Sequence, residues 1–169
     1  MKALISTINC FDNAASSVMK AVIIVLSVIV AFAMVIGIVA RTLLGVPVFG
    51  VEEIILMAAV WLYMLGAIMA SRERSHLSAD FVQTFVKNKA VSGGVQLLST
   101  ALSLVMAVFF IWWSYSLFSW GIQRGQVTPV FSIPLYVSQG SIFLASILLF
   151  LYALRDFIQD ACRLFSKED

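Results

Sequence analysis

Two adjacent carboxylates, Glu52 and Glu53, are the residues whose type and setting could do chemistry first. They open an uncharged run, and a helix beginning there projects them about 100° apart, one toward its own helices and one outward. Negative charge is favoured at a helix N-terminus, and Arg41, closing the preceding apolar run, is a natural counter-ion. An ion or proton site is the functional alternative, because acids within a membrane often mark transport pathways. Their place at the mouth of the run, not its middle, favours structural pairing. Gly45, Pro47 and Gly50 between Arg41 and the acids suit a tight reversal of the chain. A second polar group, Arg72-Glu73-Arg74-Ser75-His76-Leu77-Ser78-Ala79-Asp80, contains the only histidine, with Asp80 four residues beyond it. That spacing suits a bond across one helical turn. It supplies too few ligands for a zinc site.

The elements that must position these groups follow from composition. Of 169 residues 62% are hydrophobic, 12% are charged, the net charge is +2 and the mean hydropathy is +1.01. Soluble domains are about 45–50% apolar and about 25% charged, so the membrane is the natural solvent. A disordered tail, a disulfide scaffold and a strongly basic nucleic-acid binder are excluded by the same numbers. A crossing helix needs about 20 apolar residues, and the charges divide the chain into four such runs, at about 18–40, 51–70, 95–120 and 134–154, in a single membrane domain covering residues 1–169. The third exceeds the core thickness and is expected to tilt. Pro134 suits the first turn of the fourth. The first run is too long for the apolar part of a signal peptide, and no cleavage pattern follows it. Continuous, non-alternating runs favour helices over a β-barrel.

Nine of the eleven basic residues lie in the N-terminal tail, the middle loop and the C-terminal tail, against Arg41 and Arg124 on the other side. The positive-inside rule therefore places both termini of this multi-pass protein in the cytoplasm. Trp112, Trp113, Tyr115 and Trp120 crowd the outer end of the third run, where aromatic belts form. Leu77, Phe81, Val82, Phe85 and Val86 alternate with polar residues to predict a short amphipathic interfacial helix over about 78–89, with Lys87 and Lys89 facing lipid headgroups. Gly66 and Ala70 have small-xxx-small spacing, suited to close packing within the chain or on a partner. One histidine and two scattered cysteines provide neither haem ligation nor a closed metal site, and no nucleophile has a matched base. No enzyme, and no cofactor or metal held by this chain, is expected.

The succession Arg41, Gly45, Pro47, Glu52, Glu53, Trp61, Gly66, Ala67, Arg72, His76 and Asp80, then Thr128-Pro129 and Ile133-Pro134, resembles the small membrane subunit of the tripartite ATP-independent periplasmic (TRAP) transporters. Similarity of length and span number covers nearly the whole chain; the motif-bearing part is about 41–80. Ser78-Ala79-Asp80 departs from the family pattern, in which a β-branched residue is expected beside the aspartate. The resemblance implies an accessory subunit of a sodium-driven importer of organic acids, sialic acid or C4-dicarboxylates. A periplasmic binding protein would capture the acid, and a large multi-span permease, paired one-to-one with this chain, would hold the substrate and sodium. It also implies that Arg41, Glu52, Glu53, Trp61, Gly66, His76 and Asp80 are structural or meet the large subunit, and that Arg124 and Gln126 meet the binding protein. For Arg124 the plainer alternative is a snorkelling interfacial arginine. The residues themselves lend support, because the interiors of the four runs hold no charge, whereas self-sufficient carriers usually show broken helices or polar residues near the midplane. The competing reading is a small four-span carrier working as a homodimer.

Overall fold

The computed structural model describes residues 2–43, 45, 49–73 and 89–165, although the side chains at 2–11, 13, 14, 89–93 and 163–165 lie outside the description. Four helices occur among the described residues: α1 (Lys2–Leu43), α2 (Val51–Arg72), α3 (Lys89–Arg124) and α4 (Tyr136–Phe165). Each contains a stretch long and apolar enough to cross a membrane: Ala15–Leu43, Val51–Arg72, Gly94–Arg124 and Tyr136–Cys162. The 22 residues of α2 rise about 33 Å, close to a hydrocarbon core of about 30 Å. The 42 residues of α1 rise about 63 Å and must project beyond any such core.

Helix ends follow local chemistry. Glu52 and Glu53 occupy the first turn of α2 and Arg72 its last, while Arg41 and Arg124 lie in the last turns of α1 and α3, so every one of these charges complements the dipole of its helix. Gly125 stops α3 in the left-handed conformation, φ 57°, where its N–H donates to the Gly121 and Ile122 carbonyls. α4 begins at Tyr136, two residues after Pro134. The chain at Pro134 is bridged to Val127, and the extended backbone this pairing needs postpones the helix; the Pro134 carbonyl then accepts from the Val137 N–H in the entering turn.

Backbone contacts order the helices as a row, α1 beside α2, α2 beside α4 and α4 beside α3, with no other pair of backbones in contact among the described residues. Leu65 and Ile68 of α2 and Ala145 of α4 form the buried centre, packed by Met19, Ile23 and Leu26 from α1, Trp61 from α2 and Leu148 from α4. The α3–α4 seam is lined by small polar residues: Ser114, Ser141 and Ser146 are buried, and the hydroxyls of Ser114 and Ser146 bond each other at 2.8 Å. A carbonyl of its own helix is also within reach of each hydroxyl, so one serine donates to the other while the other donates to its helix carbonyl, and neither hydroxyl is left unmet in the apolar interior. At the outer edges of the row α1 and α3 expose broad apolar surfaces, Phe32, Ile36 and Val39 on one and Phe109, Trp112 and Trp113 on the other. A surface of that kind suits lipid or a membrane partner.

Candidate interaction sites at the two ends of the helices

At the end carrying the two loops, Glu53 clamps the α3–α4 connection to the start of α2. Its Oε1 accepts the Val130 N–H at 2.8 Å and its Oε2 the Phe131 N–H at 3.1 Å, and the Thr128 hydroxyl bonds the same carboxylate. The loop is already shaped to present these donors. The Leu135 N–H reaches the Gln126 carbonyl, the Thr128 N–H the Ile133 carbonyl and the Ser132 N–H the Thr128 carbonyl, while the Thr128 hydroxyl accepts from the Ile133 N–H. Ser132 turns the chain in the left-handed region, φ 52°. Below the clamp, the Phe131 ring lies over Gly50, which precedes α2 with φ 91°. A Cβ at Gly50 would stand 2.9 Å from Phe131 Cζ and closer still to Cε2, so this glycine meets both a backbone and a space requirement. Glu52, one residue earlier, points away and pairs with Arg41 of α1 at 3.3 Å, both side chains largely exposed.

At the opposite end, toward the start of α1 and the end of α4, Asp12 joins three helices. Its Oδ2 accepts the Arg72 Nε–H of α2 at 2.8 Å and its Oδ1 the Tyr152 hydroxyl of α4 at 2.7 Å. Arg155 stacks its guanidinium over the Tyr152 ring at 5.0 Å and donates to the Arg72 carbonyl at 3.2 Å, returning the network to the end of α2. Burial alone would push the Asp12 carboxyl up, but the Tyr152 hydroxyl and the Arg72 guanidinium, with the field of Arg155, hold it below the usual carboxylate range. Lys20 and Glu73 add an exposed pair at 3.8 Å. Between α3 and α4, Gln96 donates to the buried Asp160 at 3.3 Å.

Neither end assembles a nucleophile with a base, and no group of three or more metal-ligating side chains occurs among the described residues. What the polar groups do is fix helix ends to one another. The family model described as tripartite ATP-independent periplasmic transporters, DctQ component, matches residues 28–163. The chain belongs to that family. It is a component of a transporter, not an enzyme, and its four crossing-length helices fit a multi-pass protein of the inner membrane. No curated protein matches the sequence.

For this DctQ component the structure brings some of the singled-out residues together and separates others. Arg41 faces Glu52, whereas Glu53 is engaged by the loop after α3. Trp61 packs on the Leu65, Ile68 and Ala145 centre. The position a Cβ would take at Gly66 is open, with nothing among the described residues packed into it. Arg124 and Gln126 are exposed beside the clamped loop, with the Arg124 guanidinium 5.9 Å from the Trp120 ring. His76, Asp80 and Lys87, with the expected interfacial helix up to residue 88, lie outside the described residues; Lys89 begins α3, and its side chain is outside the description too.

Asp12, Tyr152 and Arg155 were not singled out by sequence, because their partners stand 60 and 140 residues apart along the chain. One signal was present: Asp12 precedes the first apolar run and Arg72 closes the second, so antiparallel helices bring the two to one level. Gly121 was likewise silent. A Cβ there would collide with the Gln139 side-chain amide, whose buried oxygen has no hydrogen-bond partner among the described residues. That oxygen lies along the direction of a Gly121 Cα–H, a weak contact only glycine can offer at this spacing.

Proposed function

We propose that this chain is the accessory, scaffold-forming subunit of a sodium-driven TRAP importer of organic acids, either sialic acid or C4-dicarboxylates. In this reading it pairs one-to-one with a large multi-span permease, which carries the substrate and the sodium, and its loop end meets a periplasmic binding protein. The observation that carries the reading, beside family membership, is the charge-free interior of all four crossing stretches: among the described residues, bonds made by charged side chains lie toward the helix ends, and the polar bonds further in are those of serine and threonine hydroxyls to a carbonyl of their own helix or to one another, such as Ser27 to Ile23 and Ser114 to Ser146. The excess of Lys and Arg on the side of the termini supports a cytoplasmic position for both and a periplasmic one for the loop end. The open Gly66 position and the exposed faces of α1 and α3 offer surface for the permease. Arg41, Glu52 and Glu53 hold helix ends within the chain, His76 and Asp80 serve the turn after α2, and Lys87 and Lys89 meet headgroups. Arg124 at the end of α3 and Gln126 on the loop that Glu53 holds, both exposed, are the proposed contacts for the binding protein.

Reconstitution tests this directly. Liposomes holding this chain and the permease, supplied with binding protein and a sodium gradient, are expected to accumulate the acid, and those holding this chain alone to remain inactive. Uphill uptake by the chain alone would establish the self-sufficient carrier instead. Arg124→Glu is expected to lower uptake while the membrane complex still co-purifies; unchanged uptake across binding-protein concentrations would remove that contact.

A further inference from the structure

Between α1 and α2 at the loop end lies a half-open groove of about 210 Å³. Its walls are Met34 and Ile38 of α1 and Val51 and Ile55 of α2, its floor is Gly37, and Arg41 and Glu52 stand at its mouth. Gly37 makes the space: a Cβ there would meet Val51 Cγ1 at 3.9 Å and fill part of the floor. Met34 to Ile38 lie three to seven residues before Arg41, which is about 5–10 Å along the helix. The charged mouth is thus near the end of both crossing stretches, and the apolar groove runs inward at the depth of acyl chains.

The polarity of the mouth is built in. Arg41 lies in the last turn of α1 and Glu52 in the first turn of α2, so the helix dipoles hold a cation on one wall and an anion on the other. The two approach to 3.3 Å through a single N–H···O contact, and their side chains are 72% and 80% exposed. A guanidinium has five N–H donors, and that contact occupies one of them. An exposed pair of this kind contributes little to stability by itself. It does form a dipolar edge above an apolar slot.

We propose that this groove is a binding site for a phospholipid with an ethanolamine headgroup: the acyl chain lies in the slot on Gly37, the phosphate on Arg41 and the ammonium on Glu52. An arginine fork matches phosphate oxygens, and a primary ammonium donates hydrogen bonds to a carboxylate. A choline headgroup has no N–H to offer Glu52, and a glycerol headgroup brings no ammonium to it, leaving Arg41 as its cation. Free phosphate has no use for the apolar slot.

Native mass spectrometry of the full-length chain, delipidated in mild detergent and titrated with dioleoyl phosphatidylethanolamine, phosphatidylcholine or phosphatidylglycerol, tests the assignment. The ethanolamine lipid is expected to bind at least tenfold more tightly than either of the others. Glu52→Gln, which keeps size and shape, is expected to erase the preference over choline, and Gly37→Leu to lower binding of all three. The exchange Arg41→Glu with Glu52→Arg keeps an ion pair but reverses its direction, and is expected to abolish the ethanolamine preference. Equal uptake of the three lipids by the unaltered chain would overturn the proposal. So would a preference that survives Glu52→Gln or the exchange. Circular dichroism and gel-filtration profiles matching the unaltered chain identify the variants to be compared, and the unaltered chain alone decides the first outcome.

Discussion

Replacing Asp12 with alanine removes the acceptor that ties α1 to both α2 and α4. Two bonds are lost at once, to Arg72 at 2.8 Å and to Tyr152 at 2.7 Å. The Arg72 side chain is only 16% exposed and that of Asp12 30%, so the pair lies between the surface and buried regimes. A surface ion pair contributes about 0–1 kcal/mol, and breaking a fully buried one costs about 3–5 kcal/mol. An intermediate loss of about 2 kcal/mol follows, consistent with hydrogen bonds to a charged group at about 1.5–3 kcal/mol. The assay is unfolding of the full chain in mild detergent, followed by retention of the folded gel-filtration peak after heating. A double-mutant cycle with Arg72→Ala should give a coupling of about 1–2 kcal/mol, because the two residues touch. The pH dependence has a defined sign. Asp12 titrates below its ordinary value of 3.8 in the folded chain, so its stabilisation is complete above that value and is lost as the pH falls through the lower, folded-state pKa. The difference between the unaltered chain and Asp12→Ala should be constant from pH 8 to pH 5 and narrow only below about pH 4. Equal stability of the two proteins at neutral pH, or a coupling with Arg72 indistinguishable from zero, would refute this account of the network.

Three further outcomes are expected. Glu53→Ala should accelerate amide hydrogen exchange at Val130 and Phe131 at least tenfold with little change at Ile133, whose N–H is bonded within its own loop; unchanged exchange would show that the loop holds itself. Gly121→Ala should destabilise the α3–α4 seam by about 1–3 kcal/mol through overpacking, and Gln139→Ala in the same chain should recover most of the loss, a rescue that thermal unfolding reads directly. Ser114→Ala should cost only about 0.6 kcal/mol, the average for side-chain bonds between helices in a membrane, and a loss above about 2 kcal/mol would assign that pair a larger role than geometry gives it.

Four apolar runs were legible because charge spacing reports crossing segments directly, and four helices of that kind occur among the described residues. The order of those helices was not legible. Periodicity locates a helix but does not say which neighbour it meets when most of its circumference is apolar, and α1 and α3 are apolar nearly all round. At the loop end, Arg41, Glu52 and Glu53 stood out by type, yet their division of partners depended on a loop 77 and 78 residues further along. The donors there are backbone N–H groups of Val130 and Phe131, present at every non-proline residue and therefore invisible as a motif. The shift of α4 from Pro134 to Tyr136 has a similar origin, since proline is compatible with a first helical turn and equally with the short bridge to Val127 that it makes.

The polar contacts of α2 explain how a sparsely charged chain holds one arrangement. At its first turn Glu53 grips the loop between α3 and α4, and at its last Arg72 grips Asp12 of α1 while its carbonyl receives Arg155 of α4. A helix fixed at both ends to different neighbours cannot slide by one turn without breaking charge-assisted bonds, which are the strong ones. Between these clamps apolar packing sets fit but little register, since lipid tails compete with side chains for the same contacts. Placing the charges at the ends has a second effect: it spares the interior, where a single charge costs about 2.5–3.5 kcal/mol on the insertion scale. The row of helices is thereby specified by its rims, and its broad faces stay apolar, a division that leaves them free for lipid and for a membrane partner.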